Sequence, residues 1–266
     1  MTHSAGFRAA TWPWGGDQPW HPFEPTRYEQ LVAMLPYTEV QFRPGSRHSY
    51  SNPGIVFLGR IVELLTGEDY EVYVEKNILR PLGMRESYFD RAPYHLLDRR
   101  SHSYAGAAGA LQEQPFDFDT GVTVSNGGLN GPLTDMARYL VFLIGAPGDA
   151  RYEGVLKRTS VEEMFEAQVP IGGEDPGQEA IGLAFFLERR AGRRLVGHSG
   201  SQAGFISHLY FDPETRLGYV VVFNTDVVEG ERSRTRELDA AVRDQLLGEV
   251  FPLLHASRAA GPPPQH

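Results

Sequence analysis

Apolar residues between Ile55 and Leu65 recur in three- and four-residue steps: Ile55, Val56, Leu58, Ile61, Val62, Leu64 and Leu65. Asn52 stands where a capping side chain belongs, Pro53 takes the first helical position and Gly67 lies just past the end, so the spacing predicts a helix here. Asp69 is placed to cap a second helix running to about Leu79, which Pro81-Leu82-Gly83 stops. Two more helices are expected, one from Asp135 to Ile144 and one entered by Ser160, with Glu163 three residues on as a capping box. The first 175 or so residues therefore read as helix and loop.

From Ala180 the pattern changes to short β-rich runs. Ile181 to Glu188, Arg194 to His198, Gly204 to Phe211 and Leu217 to Asn224 are separated by turns at Ala191-Gly192 and Asp212-Pro213-Glu214, which predicts an antiparallel meander. A final helix from about Arg234 to His255 presents Leu238, Ala241, Val242, Leu246, Val250 and Leu253 as a mostly apolar stripe, expected to cover the sheet. Residues 7–27 combine Trp12, Trp14 and Trp20 with four prolines and no period, and read as an irregular loop. The tail from Ala259 through Pro262-Pro263-Pro264 is expected to be disordered. One domain is expected overall: a helical and loop-rich lobe over 1–175, a sheet with its helix over 176–256, and a tail over 257–266. No internal repeat is evident.

Composition narrows the function classes. With 266 residues, 41% hydrophobic and 22% charged, the chain has the make-up of a globular protein, which disfavours disorder. Its longest apolar stretches, Tyr139 to Ala146 and Tyr219 to Phe223, fall short of the roughly 20 residues a membrane helix needs. A formal charge of -9 with no basic run argues against nucleic acid as a partner, since a polyanion would be repelled. The absence of cysteine excludes disulfides, thiolate zinc sites and a cysteine nucleophile, and leaves the compartment open. The first residues, Met-Thr-His-Ser-Ala-Gly, have neither a basic nor an apolar signal region, so this stretch carries no secretory signal, although a longer parent chain could be exported. No His-Glu-x-x-His pair or comparable cluster suggests a metal, and His95 and His102 beside Arg99 and Arg100 read as surface or packing residues. No cofactor is expected.

Candidate chemistry gathers in two places. Tyr50-Ser51-Asn52 puts a phenol and a carboxamide two residues apart just before a helix, where both can be exposed to a cleft. A phenol with a reference pKa near ~10 serves as a base at neutral pH only if cations or hydrogen bonds favour phenolate. The other reading is a packed tyrosine beside a capping asparagine. His198-Ser199-Gly200 forms a second short motif, and Gly197 to Ser201 also comes within one residue of a Gly-x-Ser-x-Gly nucleophile elbow, with His208 or His255 downstream. An elbow requires a following helix, whereas Phe205 to Asn224 reads as a hairpin, so Ser199 is disfavoured as such a nucleophile. The aromatics Trp12, Trp14, Trp20, Phe23, Tyr88, Phe89 and Tyr94 either line a cleft or fill gaps beneath loops.

Taken in order, Pro44-Gly45, Tyr50-Ser51-Asn52, Leu58-Gly59, Gly67 and Leu79-Arg80-Pro81-Leu82-Gly83-Met84 resemble the serine β-lactamase-related family of class C β-lactamases, esterases and D-aminopeptidases. Thr2-His3-Ser4-Ala5-Gly6 resembles that family's Leu-Thr-His-Thr-Ser-Gly stretch, and Gly127-Gly128-Leu129 before Thr134-Asp135 resembles its Gly-Gly-Leu segment. His198-Ser199-Gly200, Gly204-Phe205, Asp212-Pro213-Glu214 and Asn224 follow its strand motif and hairpin, so the likeness extends to about residue 255.

The resemblance implies an α/β (α+β) fold of β-lactamase/transpeptidase type, a helical lobe plus an antiparallel sheet flanked by helices. It also implies acyl transfer from an ester, amide or lactam, part of a small molecule or peptide, through a serine acyl-enzyme. Tyr50 would shuttle the proton, Asn52 would hold the substrate amide or the catalytic lysine, and His198 would set the charge near the leaving group. Ser199, Gly200 and Ser201 would bind substrate, the Ser201 amide being one oxyanion donor. The family's nucleophile is the serine of a Ser-x-x-Lys motif, both residues on one helix face. This chain has two lysines, Lys76 and Lys157, preceded at that spacing by Tyr73 and Gly154, so the motif is absent. In the family the motif lies upstream of the Leu-Thr-His-Thr-Ser-Gly stretch, and the expectation is that N-terminal strands and the Ser-x-x-Lys helix are missing. The chain is then expected to be inactive alone and, with a sheet edge and an apolar face uncovered, poorly soluble or partly unfolded. The alternative is a non-catalytic binding module using the remaining cleft. A histidine at 198, where penicillin-binding relatives often have lysine, leans toward esterases and D-amino-acid peptidases.

Overall fold

In the computed structural model, which describes residues 1–7, 25–37, 39–116, 119–146, 150–171 and 179–259, the helical and β-rich regions are not divided at a single point. One unit comprises Met1–Arg100 and Asp117–Leu187, the other Ser101–Phe116 and Glu188–His266. Trp12, Trp14, Trp20 and Phe23 and the proline-rich tail lie outside the described residues.

The first unit carries helices α1 (Tyr28–Met34), α2 (Asn52–Thr66), α3 (Tyr70–Val74), α4 (Val124–Gly127), α5 (Leu133–Ile144) and α6 (Arg158–Glu163). The expected helix after residue 52 is α2, but its cap is Ser51 rather than Asn52. The Ser51 hydroxyl accepts the Gly54 N–H at 3.1 Å, which leaves Asn52 as the first helical residue. At the other end Gly67 adopts φ 72° and donates its N–H to the Glu63 carbonyl, a left-handed closure open to glycine at little cost. Gly59 is needed for a different reason: a Cβ there would sit 2.4 Å from the Cβ of Ser125, so α2 and α4 approach through the missing side chain. Val56 packs with Leu31 in a small core joined by Tyr28, Met34 and Phe57. Leu64 and Leu65, which the pattern placed on the apolar face, are 68% and 82% exposed. Replacing Ser51 with alanine orphans the Gly54 N–H and lowers stability by about 1 kcal/mol, readable as a reduced urea midpoint at unchanged slope.

Asp69 stands at the capping position of α3 but its side chain makes no capping hydrogen bond, and a π-helical turn from Glu75 to Leu79 carries the helix to the Pro81-Leu82-Gly83 stop. The Ser160–Glu163 capping box does not form. Helix α6 starts at Arg158, so Ser160 is already helical and Glu163 is its final residue, whereas a capping residue must keep extended dihedrals. In α5, Asp135 is 1% exposed and accepts hydrogen bonds from the Glu86 N–H at 2.9 Å and the Ser87 hydroxyl at 3.0 Å while pairing with Arg138.

Short strands also occur where helix and loop were expected: Tyr88–Phe89 pairs with Leu129–Asn130, and Val169–Pro170 with Glu179–Ile181. In the second unit, Tyr104–Ala107 and Ala110–Glu113 form a hairpin, and Tyr104–Ala107 runs parallel to Thr225–Glu229. These pieces are two to five residues long, and Ala110–Glu113 is exposed throughout, so they leave no apolar alternation to detect. The run expected from Ile181 to Glu188 is broken by a turn in which the Gly182 N–H donates to the Phe185 carbonyl and Ala184 takes φ 65°, before a new strand at Phe186–Arg190.

The predicted meander is present as Arg193–Gln202, Phe205–Asp212 and Leu217–Phe223, all antiparallel. The final helix is α7 (Arg234–Gln245), a π-helical turn Leu246–Val250 and α8 (Phe251–Ala259). Its buried side is not the predicted stripe: Thr235, Asp239, Arg243, Leu247 and Phe251 are buried, while Leu238 and Leu253 are 55% and 71% exposed. A four-residue step drifts about 40° per repeat in an α-helix, and the wider π turn takes up part of that drift. Leu247 and Phe251 join Leu195, Tyr210, Leu217 and Tyr219 in the core, and the polar half of the buried side meets polar partners on the sheet.

Candidate active site

Tyr50 lies two residues ahead of α2, in the first unit. Its ring stacks on the His3 imidazole, centroids 4.1 Å apart and planes 24° apart, and lies nearly parallel to Phe186 at 6.4 Å. His3 is held rigidly. It is 5% exposed, its carbonyl accepts the Ser49 N–H at 2.7 Å, and its Nδ1 accepts the Ser51 N–H at 3.1 Å, which puts the ring proton on Nε2. It also adopts φ 46°, an unfavourable backbone region that the surrounding bonds must maintain. His48 meets His3 edge-on at 6.1 Å, and burial lowers its pKa.

This setting makes Tyr50 a phenol. Burial pushes its pKa above the ordinary tyrosine value. Asn52 is half-buried, with its backbone in the first turn of α2 and the cap role already filled by Ser51. An apolar cavity of about 380 Å³ opens beside the cluster, lined by Met1, His3, Pro44, Ile55, Phe57 and Leu58 among others.

His198, Ser199, Gly200 and Ser201 lie in the second unit, inside the strand Arg193–Gln202, which continues past its expected end at His198. They pair across the meander with Leu209, His208, Ser207 and Ile206 respectively. Successive strand residues point to opposite faces, so His198 and Gly200 share one face while Ser199 and Ser201 share the face that α7 covers. The His198 Nδ1–H donates to the Ser199 carbonyl at 2.7 Å, which leaves the lone pair on Nε2. Burial lowers the His198 pKa, against the opposing pull of that hydrogen bond, so the ring is neutral near pH 7. Ser199 is followed by strand and hairpin, not helix, which excludes the nucleophile-elbow geometry.

The sequence pattern marked Tyr50, Asn52 and His198, but it assigned no role to His3, His48 or Phe186. Thr2-His3-Ser4 within a resembling motif was a usable signal for His3. Phe186 had none, because its place beside Tyr50 arises from residues far apart in the chain. Among the described residues no group of three or more histidines and carboxylates is placed to hold a metal ion.

The β-lactamase family model matches residues 1–244. The chain belongs to the β-lactamase family. It is 26% identical over 184 residues to a D-aminopeptidase of Cereibacter sphaeroides, covering 69% of this chain and 33% of that protein. It is 25% identical over 224 residues to the D-alanyl-D-alanine-carboxypeptidase/endopeptidase AmpH of Escherichia coli K12, covering 83% of this chain and 55% of that protein. The chain thus spans about a third to about half the length of these curated relatives. The D-amino acid amidase of Ochrobactrum anthropi SV3, solved with D-phenylalanine, superposes with a TM-score of 0.72 at 22% identity, over 94% of this chain and 70% of that one. The mixed α+β architecture is that of the β-lactamase and penicillin-binding-protein fold.

Proposed function

We propose that these 266 residues carry the Tyr-x-Asn and His-x-Gly part of a serine acyl hydrolase, and that the Ser-x-x-Lys nucleophile is supplied by chain outside them. The observation that carries this reading is the mounting of Tyr50. A surface tyrosine does not need a buried, positively strained histidine stacked on it, whereas a proton shuttle needs its phenol held to a fraction of an ångström. As a phenol with a raised pKa, Tyr50 cannot act as a base near neutral pH until a cation approaches. A lysine one helical turn from the nucleophile is such a cation. Asn52 then holds the substrate amide, His198 acts as a neutral hydrogen-bonding group near the leaving atom, and the Ser201 N–H serves as an oxyanion donor. Without the serine the 266 residues do not turn over substrate. The names of the relatives favour peptides and amides of D-amino acids as the substrate class.

A second reading, a non-catalytic binding module, rests on the missing motif together with the 380 Å³ apolar cavity. Fluorophosphonate labelling of the protein from its source, followed by intact mass and peptide mapping, separates the two. A mass well above 29.6 kDa with the adduct on a serine of a Ser-x-x-Lys sequence supports the hydrolase. A 29.6 kDa species with no adduct on such a serine overturns it and favours the binding module.

A further inference from the structure

The face of the meander covered by α7 holds a histidine and an aspartate that the reaction above does not use. His208 and Asp239 are 9% and 4% exposed, and the His208 Nε2 lies 2.9 Å from Asp239 Oδ2. Burying such a pair costs more than burying apolar residues of the same size, so packing does not account for it. The bond to Asp239 places the ring proton of a neutral His208 on Nε2 and the lone pair on Nδ1. That Nδ1 is buried and has no hydrogen-bond partner among the described residues. Its cross-strand neighbours narrow the choice: Val221 on one side is apolar, and Ser199 on the other carries a hydroxyl. Residues directly opposite in an antiparallel pair have Cβ atoms about 5 Å apart on the same face, so the exposed Ser199 is the hydroxyl-bearing residue in register with His208.

We propose that Ser199, His208 and Asp239 form a second nucleophilic site, independent of any Ser-x-x-Lys serine, that takes small activated esters and phosphonyl fluorides. His208 Nδ1 accepts the Ser199 hydroxyl proton while Oγ attacks the carbonyl carbon. The carbon–oxygen bond to the leaving alcohol breaks, and that alcohol takes the proton from His208. Water then hydrolyses the Ser199 ester by the same proton route. With a fluorophosphonate the Oγ–P bond forms, fluoride leaves and the adduct is stable. Asp239 is a positioning residue that fixes the tautomer, as the carboxylate does in a Ser-His-Asp triad. This site goes beyond the Tyr50 reading, and its absence would leave that reading intact.

The test is fluorophosphonate labelling of the 266-residue chain and of the protein from its source, with the modified peptide identified in both. An adduct on Ser199 is expected, lost in Ser199→Ala and formed about 100-fold more slowly in His208→Gln, the size of a general-base contribution. Asp239→Asn should also slow it, and it provides a second readout if His208→Gln does not fold, folding being checked by far-UV circular dichroism. The pH profile gives a further check. His208 faces Asp239, Arg236 and Arg243 of α7, Arg190 at the end of the strand Phe186–Arg190 two places away in the sheet, and Tyr210 on its own strand; burial and the three arginines hold its pKa down to about 4. Labelling should therefore be flat from about pH 5.5 to 8, where an ordinary imidazole base would give a rise centred near ~6.5. A folded chain with no Ser199 adduct, labelling unaffected by both His208→Gln and Asp239→Asn, or a rise centred near ~6.5 overturns the proposal. An adduct on a Ser-x-x-Lys serine in the source protein bears only on the Tyr50 reading.

Discussion

On the proposed acyl-hydrolase reading, replacing Tyr50 with phenylalanine in the protein from its source lowers kcat on a D-amino-acid amide by about 10²- to 10⁴-fold, with KM changed far less. The substitution removes only the phenolic oxygen. The ring still stacks between His3 and Phe186, so folding and the shape of the site are retained, and the melting temperature should stay within a few degrees. What is lost on that reading is the proposed proton carrier, whose pKa burial has raised and which a nearby lysine would have to bring down. Steady-state kinetics of the two proteins decide the matter. A variant retaining kcat within threefold would mean that the stacked tyrosine is only a packing element.

Arg243→Ala lowers the stability of the second unit by about 3–5 kcal/mol, whereas replacing both charges together, Arg243→Met with Glu188→Leu, leaves it close to that of the parent protein. Arg243 is 7% exposed, its Nε donates to the Tyr219 hydroxyl at 2.8 Å, another of its nitrogens pairs with Glu188, and its guanidinium lies 4.7 Å from the Tyr210 ring centroid. Alanine leaves Glu188 without its counter-ion, Tyr219 without its donor, and a void under the helix. Methionine and leucine together refill the volume with apolar atoms and leave no buried charge unpaired, so the loss of the ion pair is offset by the desolvation cost that is no longer incurred. Urea denaturation followed by far-UV circular dichroism distinguishes the two variants. Equal destabilisation by both would show that the charge itself, rather than volume and burial, holds helix to sheet.

Much of this protein was legible from local pattern. Helix α2, the stop at Pro81-Leu82-Gly83 and the three-stranded meander follow from apolar period, capping positions and turn residues, because each depends on neighbours within a few positions. Family membership was legible in the same way, from motifs in the right order. The misreadings have a common physical origin. Ser51 and Asn52 are equally good caps on paper, and only the chain path set by His3 selects the serine. The last helix looked amphipathic through Leu238 and Leu253, yet the buried side is chosen by the partners the sheet offers, and here those are His208, Tyr219 and Glu188. The sequence by itself determined helix α2, the meander, the family and the absence of a Ser-x-x-Lys motif, since these are properties of local spacing and residue type. Only the tertiary structure decided that Tyr50 is a half-buried phenol stacked on His3, and that His198 and Ser199 point to opposite faces of one strand. It also placed Ser199 opposite a His–Asp pair, since burial, strand register and side-chain proximity arise from contacts between residues distant in the chain.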